Sequence, residues 1–165
     1  LSRQFSQFRV KKEYKALVWG NLTNDGTIDA NIDRDPRNRK IFTVVSSGGK
    51  NACTHFKTKE YFPPLSLVSL FPKTGRTHQI RVHLKFLGHP IFGDLAYGGG
   101  IKRAKSFHVK YAQLINRLNK TIPRVSLHAR RLEIQHPETN ENMTFVAPIP
   151  TDFQESIEIL KSEQS

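Results

Sequence analysis

Between Pro72 and Thr77 the chain changes its period, and that switch limits what it can fold into. Before it, Leu65 to Phe71 is dense in apolar and aromatic side chains over the length of a strand. After it, Ile80, Leu84 and Leu87 recur at i, i+4 and i+7, the spacing of one helical face. Thr77 is a hydroxyl residue suited to capping a helix over His78 to Leu87, and Gly88 is a natural stop. A strand that runs through a glycine turn straight into a helix calls for a sheet with a helix laid on it.

The remaining segments supply the sheet. Phe8 to Leu22 alternates and meets the turn signal Asn24-Asp25-Gly26 before Thr27 to Ile32, which reads as strand, turn, strand. Ile41 to Ser47 is apolar and β-branched, Gly48-Gly49 turns the chain, and Asn51 to Tyr61 is the expected hairpin partner. Pro63-Pro64 then breaks the pattern. His89 to Gly100 is glycine-rich and reads as a loop, and a helix is expected around Tyr111 to Leu118. Leu127 to His136 and Asn142 to Pro148 are expected to form a closing hairpin about the turn Pro137 to Glu141. Thr151-Asp152 is placed to cap a last helix through Leu160, with fraying beyond it. The expected fold class is α+β: a single domain with a mainly antiparallel, mixed sheet, bordered by the helix at Thr77 and a C-terminal helix.

Charge points to the partner. Lysine and arginine outnumber the acids 26 to 14, a formal charge of +12. The excess recurs in clusters at Arg9 to Lys15, Arg34 to Lys40, Lys73 to Arg81, Lys102 to Lys110 and Arg124 to Arg131. That is the footprint of a nucleic-acid binder. No apolar run is long enough for a membrane span, no secretory signal or lipidation motif is evident, and the lone Cys53 excludes an internal disulfide, so a cytoplasmic protein is expected. The chain opens on Leu1 and its only methionine is Met143, from which a piece or processed product of a longer protein is expected.

Candidate chemistry concentrates at the switch. Lys73, Arg76 and His78 gather around the expected helix start, where backbone amides favour anions, so phosphate binding is the local reading; a plain solvated basic turn is the competing one. His78, His83 and His89 with Asp94 match no common zinc spacing, and no phosphate-cradling loop with its Lys-Ser/Thr pair is present.

Pro72-Lys73-Thr74-Gly75-Arg76-Thr77-His78-Gln79-Ile80-Arg81-Val82-His83 resembles the third motif of the RluA-type branch of the RNA pseudouridine synthases, Pro-x-Thr-Gly-Arg-x-His-Gln-Ile/Leu-Arg-x-His. The likeness continues in Gly88-His89-Pro90-Ile91, Gly93-Asp94 and Tyr97-Gly98. Lys12-x-Tyr14-x-Ala16-Leu17-Val18-x-Gly20 resembles the family's tyrosine-bearing strand, and the segments from Ile32 to Pro36, Lys50 to Thr54, Leu127 to Pro137 and Phe145 to Phe153 follow in register. Lys102 to Arg124 alone is unfamiliar.

The resemblance implies isomerisation of uridine to pseudouridine in structured RNA, ribosomal RNA first and transfer RNA second, by a monomer with no cofactor and no metal. It implies an aspartate nucleophile in an Arg-Leu-Asp-x-x-Thr-Ser-Gly motif ahead of the tyrosine strand. That motif is absent from these residues, and Asp33-Arg34-Asp35 does not reproduce it. Residues 1–165 are therefore expected to be the rear part of one catalytic domain, inactive alone. By the same resemblance Arg81 would pair with the missing aspartate, Tyr14 would stack on the uracil and move a proton, and Ile80 would pack against the base or Tyr14. Lys73, Arg76 and His78 would hold the RNA, with Arg34, Arg37 and Arg39 as a second set. Two other classes compete: a non-catalytic RNA-binding module, and a metal-dependent nuclease using the histidines and Asp94.

Overall fold

A computed structural model describes residues 1–6 and 10–164; Phe8 and Arg9, which open the first expected strand and the first basic cluster, lie outside the described residues. Eight strands are described: β1 (Lys11–Trp19), β2 (Gly26–Asp29), β3 (Ile32–Arg34), β4 (Phe42–Val44), β5 (Cys53–Phe62), β6 (Leu65–Pro72), β7 (Leu127–Gln135) and β8 (Asn142–Val146). The helices are α1 (Ser2–Ser6), α2 (Gln79–Phe86), α3 (Ala112–Thr121) and α4 (Thr151–Ser162), with 3-10 turns at Leu95–Tyr97, Ile101–Ser106 and Val109–Tyr111. Six strands make the main sheet in the order β2-β5-β6-β1-β7-β8, and β3 with β4 makes a separate ribbon.

The sheet is covered on both faces, which is why its central strands do not alternate cleanly. Ala16, Leu17, Val18 and Trp19 on β1 are all fully buried. Leu17 and Trp19 point to one face, packed with Phe92, Leu114, Leu118 and Phe153 beneath α3 and α4. Ala16 and Val18 point to the other, with Val68, Leu70, Ile80 and Leu84 beneath α2. Alternate side chains of one strand thus feed two cores.

The α+β class, the helix after Pro72, the helix within 111–121 and the closing β7-β8 hairpin match expectation. Several pairings do not. Every ladder among the described residues is antiparallel, so the sheet is not mixed. β1 does not pair with β2: β6 and β5 lie between them, and β2 is the edge strand on β5. The strand at Phe42 does not pair with β5 either. Gly48 and Gly49 both adopt positive φ and send the chain back toward β3, where a Cβ on Gly49 would crowd the Ile32 carbonyl. β4 therefore pairs with β3, and β5 pairs across the Pro63-Pro64 turn with β6. The helix caps also differ. His78, in the left-handed region at φ 54°, precedes α2 in place of Thr77, and Pro150 precedes α4. Asp152 instead accepts the Phe153 amide and two hydrogen bonds from Arg124, fastening α4 to the segment ahead of β7.

No helix among the described residues is long and apolar enough to cross a membrane.

Candidate active site

Where β1 and β6 meet the start of α2, a pocket of about 240 Å³ opens. Tyr14 enters it from β1, Arg76 and His78 from the turn, Ile80 and Arg81 from the first turn of α2, and Lys12 from β1. Tyr14 sits at a β-bulge: Glu13 faces Arg131 and Tyr14 faces Ala129 on β7, which leaves Arg130 unpaired in the ladder. A bulge bends the strand and re-aims the side chains beside it. Burial raises the Tyr14 pKa above its usual value, so the phenol is protonated at neutral pH and enters the pocket as a donor.

A buried polar chain sets the angle at which α2 leaves the turn. The Thr74 hydroxyl accepts the Cys53 amide at 2.9 Å and donates to Gln79 Oε1 at 2.6 Å, and the same oxygen accepts the Arg76 amide at 3.0 Å. Gln79 Nε2 donates to the Cys53 carbonyl and to Thr54 Oγ1, both at 2.9 Å. Thr54 in turn meets His83 Nδ1 at 2.9 Å, and His83 Nε2 meets the Ala30 carbonyl at 2.9 Å. A carbonyl only accepts, so His83 carries its proton on Nε2 and accepts at Nδ1. Burial lowers the His83 pKa, consistent with that neutral form. No side chain caps α2, neither Thr77 nor another; Gln79, its first residue, instead fastens the turn ahead of it by accepting the Arg76 amide.

Arg81 is already paired. Its Nε and Nη2 reach the two carboxylate oxygens of Asp94 at 2.9 and 2.8 Å, and its guanidinium lies 4.7 Å from the centre of the Tyr97 ring. Asp94 and Tyr97 are both fully buried. The Tyr97 hydroxyl accepts the Phe42 amide at 3.0 Å and lies 2.7 Å from His78 Nδ1. Burial first, then the Arg81 charge, lowers the His78 pKa. Lys12 stands differently. It is half-buried, its pKa is lowered by burial, and its one near polar contact is the Thr74 carbonyl at 3.5 Å, with no carboxylate partner among the described residues.

The fold thus gathers Tyr14, Ile80, Arg81, Arg76 and His78 on one wall. A second basin of about 430 Å³ shares Gly75 and Arg76 with the first, and Arg34, Arg39 and Lys50 line it. Arg34 also covers the Phe42 ring at 5.1 Å and donates to the Arg39 carbonyl. Lys73 and Arg37 line neither space; Lys73 is held through its backbone to Cys53, and Arg37 through its amide to Asp35. Sequence reasoning overlooked Lys12, Lys50, Gln79 and the pairing of Asp94. Gln79 and Asp94 stood in the motif without a role, and Lys12 had a signal of its own, a lysine two residues ahead of the pocket tyrosine on one face of a strand. The metal-nuclease reading fails on geometry: among the described residues no three His, Cys, Asp or Glu side chains converge. His78, His83, His89 and Asp94 each bond elsewhere, to Tyr97, Ala30, Trp19 and Arg81.

Comparison with known proteins places the chain among relatives of one family. Residues 1–86 match the family model described as RNA pseudouridylate synthase. The chain is 40% identical over 98% of its length to a Chlorobaculum parvum protein named as an uncharacterized RNA pseudouridine synthase, covering 50% of that protein. It is 38% identical over 99% of its length to the ribosomal large subunit pseudouridine synthase D of Vibrio cholerae, covering 49% of it. Among solved structures, human RNA Pseudouridylate Synthase Domain Containing 1 superposes at a TM-score of 0.68 with 34% identity, over 90% of this chain and 58% of that one. The chain spans about half the length of the curated relatives it matches.

Proposed function

The chain belongs to the RNA pseudouridylate synthase family, and from that premise we propose that the protein isomerises uridine to pseudouridine in structured RNA, ribosomal RNA foremost. In this reaction the bond from the base nitrogen to the ribose breaks, the base turns, a ring carbon takes up the ribose and gives up its proton, and the freed nitrogen gains one, so that the product is an isomer of the substrate. What supports the reading is the convergence of Tyr14, Ile80 and Arg81 on one pocket with Lys12 and Arg76.

The chemistry of each group suits its role. The Tyr14 ring offers a stacking plane for an extruded uracil, and its phenol, protonated at neutral pH, donates to the turning base. Ile80 closes the apolar side. The nucleophilic aspartate belongs to a motif that these 165 residues do not contain. Arg81 keeps such a carboxylate ionised, and the donors it has to spare are Nη1 and the second proton of Nη2, because Asp94 takes Nε and one proton of Nη2. Arg34, Arg39, Lys50 and Arg76 face the phosphates on one side of the target nucleotide. Lys73 and Arg37 contribute charge at longer range.

The test is release of tritium from transcripts labelled at carbon 5 of uridine, using the protein as its gene encodes it. Release from large-subunit ribosomal transcripts with pseudouridine mapped at a defined site is the expected result. Release from transfer RNA alone would move the substrate assignment, and RNA binding without any release would leave the binding-module reading in its place.

A further inference from the structure

We propose that Asp94 and Tyr97 are positioning residues for Arg81, so that the loop from Gly93 to Gly99 governs turnover although it contributes nothing to the pocket wall. The inference rests on the function proposed above and concerns how its cation is held.

Asp94 is fully buried, and a buried carboxylate is costly unless paired. Its side-chain partner is Arg81, which it grips with two parallel bonds of 2.8 and 2.9 Å. This fork geometry fixes the plane of the guanidinium as well as its position. The buried Tyr97 ring then supports that plane from below at 4.7 Å. Two restraints leave Nη1 and the second proton of Nη2 aimed for the carboxylate of the nucleophile.

The loop that carries both residues is itself rigid. The Gly99 amide reaches the Asp94 carbonyl at 2.7 Å, the Gly93 amide reaches the Gly99 carbonyl at 2.8 Å, and the Trp19 indole donates to that same carbonyl at 2.7 Å. A side chain on Gly99 would collide with the Ile91 carbonyl, so the turn closes only around glycine. Tyr97 adds a second tie: its hydroxyl takes the Phe42 amide and shares a hydrogen bond with His78 Nδ1, joining the pocket turn, α2 and the β3-β4 ribbon through one side chain. Arg81 is thereby aimed before RNA binds, which lowers the cost of ordering it during the reaction.

A purely structural ion pair would look the same in the resting protein, so the test must separate aiming from folding. Steady-state kinetics on Asp94→Asn, Arg81→Lys and the double variant, each checked for its melting transition, form a cycle. Asp94→Asn is expected to lower kcat about 100-fold, the scale of a small misplacement at a reacting group, while KM for RNA stays within about twofold. In the Arg81→Lys background the same change should cost no more than about threefold, because the group it aims is gone. Tyr97→Phe keeps the supporting ring, loses the tie to His78, and is expected to fold normally and lose about tenfold in kcat. Full kcat in folded Asp94→Asn, or losses that multiply in the double variant, would overturn the proposal. If Asp94→Asn does not fold, unchanged kcat in Tyr97→Phe overturns it. A wild-type protein that releases no tritium instead removes the function on which it stands.

Discussion

Lys12 enters the pocket with no carboxylate beside it among the described residues, and burial holds its pKa below the ordinary lysine value of 10.5. The unfolded chain then binds more protons between the lowered value and 10.5, so this residue weakens the fold at neutral pH and ceases to do so as pH rises toward 10.5. Lys12→Met is expected to raise the midpoint of thermal unfolding at pH 7, with the gain vanishing near pH 10.5. The same variant should bind RNA less tightly, as expected of a cation kept for an anion from outside. An unchanged melting curve together with unchanged RNA affinity would refute both halves. Residue roles of this kind are only partly legible in sequence. That Tyr14, Ile80 and Arg81 meet at one pocket is legible, because motif and register carry their placement. The hold of Asp94 on Arg81 is not, because it spans a helix and a loop and depends on burial that no local pattern encodes.

Among the elements, α2 depends on its polar underside as much as on its apolar face. His83 is buried and neutral between Thr54 and Ala30, with a pKa pulled below the ordinary 6.5 by burial. Its contribution is complete above pH 6.5 and is lost as pH falls through the lowered folded value, because the unfolded chain takes up the proton first. His83→Gln should cost about 1–3 kcal/mol at about pH 8 in urea melts, from a bond left unmade, and should flatten the loss of stability below pH 6.5. An acid limb as steep as that of the wild type would place the titrating group elsewhere. The closing hairpin was legible, β7 with β8 about their polar turn; the pairing of β5 with β6 was not, because Gly48-Gly49 reads as the turn before β5 and Pro63-Pro64 only as a break. Nor were the partners of β1 legible. Alternation tells which residues form a strand but not which strand lies beside it, and β1 finds β6 and β7 across long stretches of chain.

Taken as a whole, the molecule spreads an excess of +12 unevenly, and the two basins that meet at Gly75 and Arg76 collect Lys12, Arg34, Arg39, Lys50, Arg76 and Arg81. Only Arg81 of these has a carboxylate partner among the described residues. RNA affinity should therefore fall steeply with added salt. Replacing Arg34 and Arg39 together by glutamine should flatten the slope of log affinity against log salt by about 1.4, roughly 0.7 for each single-strand phosphate no longer neutralised. A slope that stays the same would move the RNA path away from this basin. The basin owes its outer wall to the β3-β4 ribbon, which shares no ladder with the six-stranded sheet. It is held by the bridge from Ile32 to Lys50, the bond from Phe42 to Tyr97 and its packing on α2. Amide protons of the ribbon can thus trade with deuterated water while those of β6 and β1 stay locked, and occupancy of the basin becomes something a mass spectrometer can time.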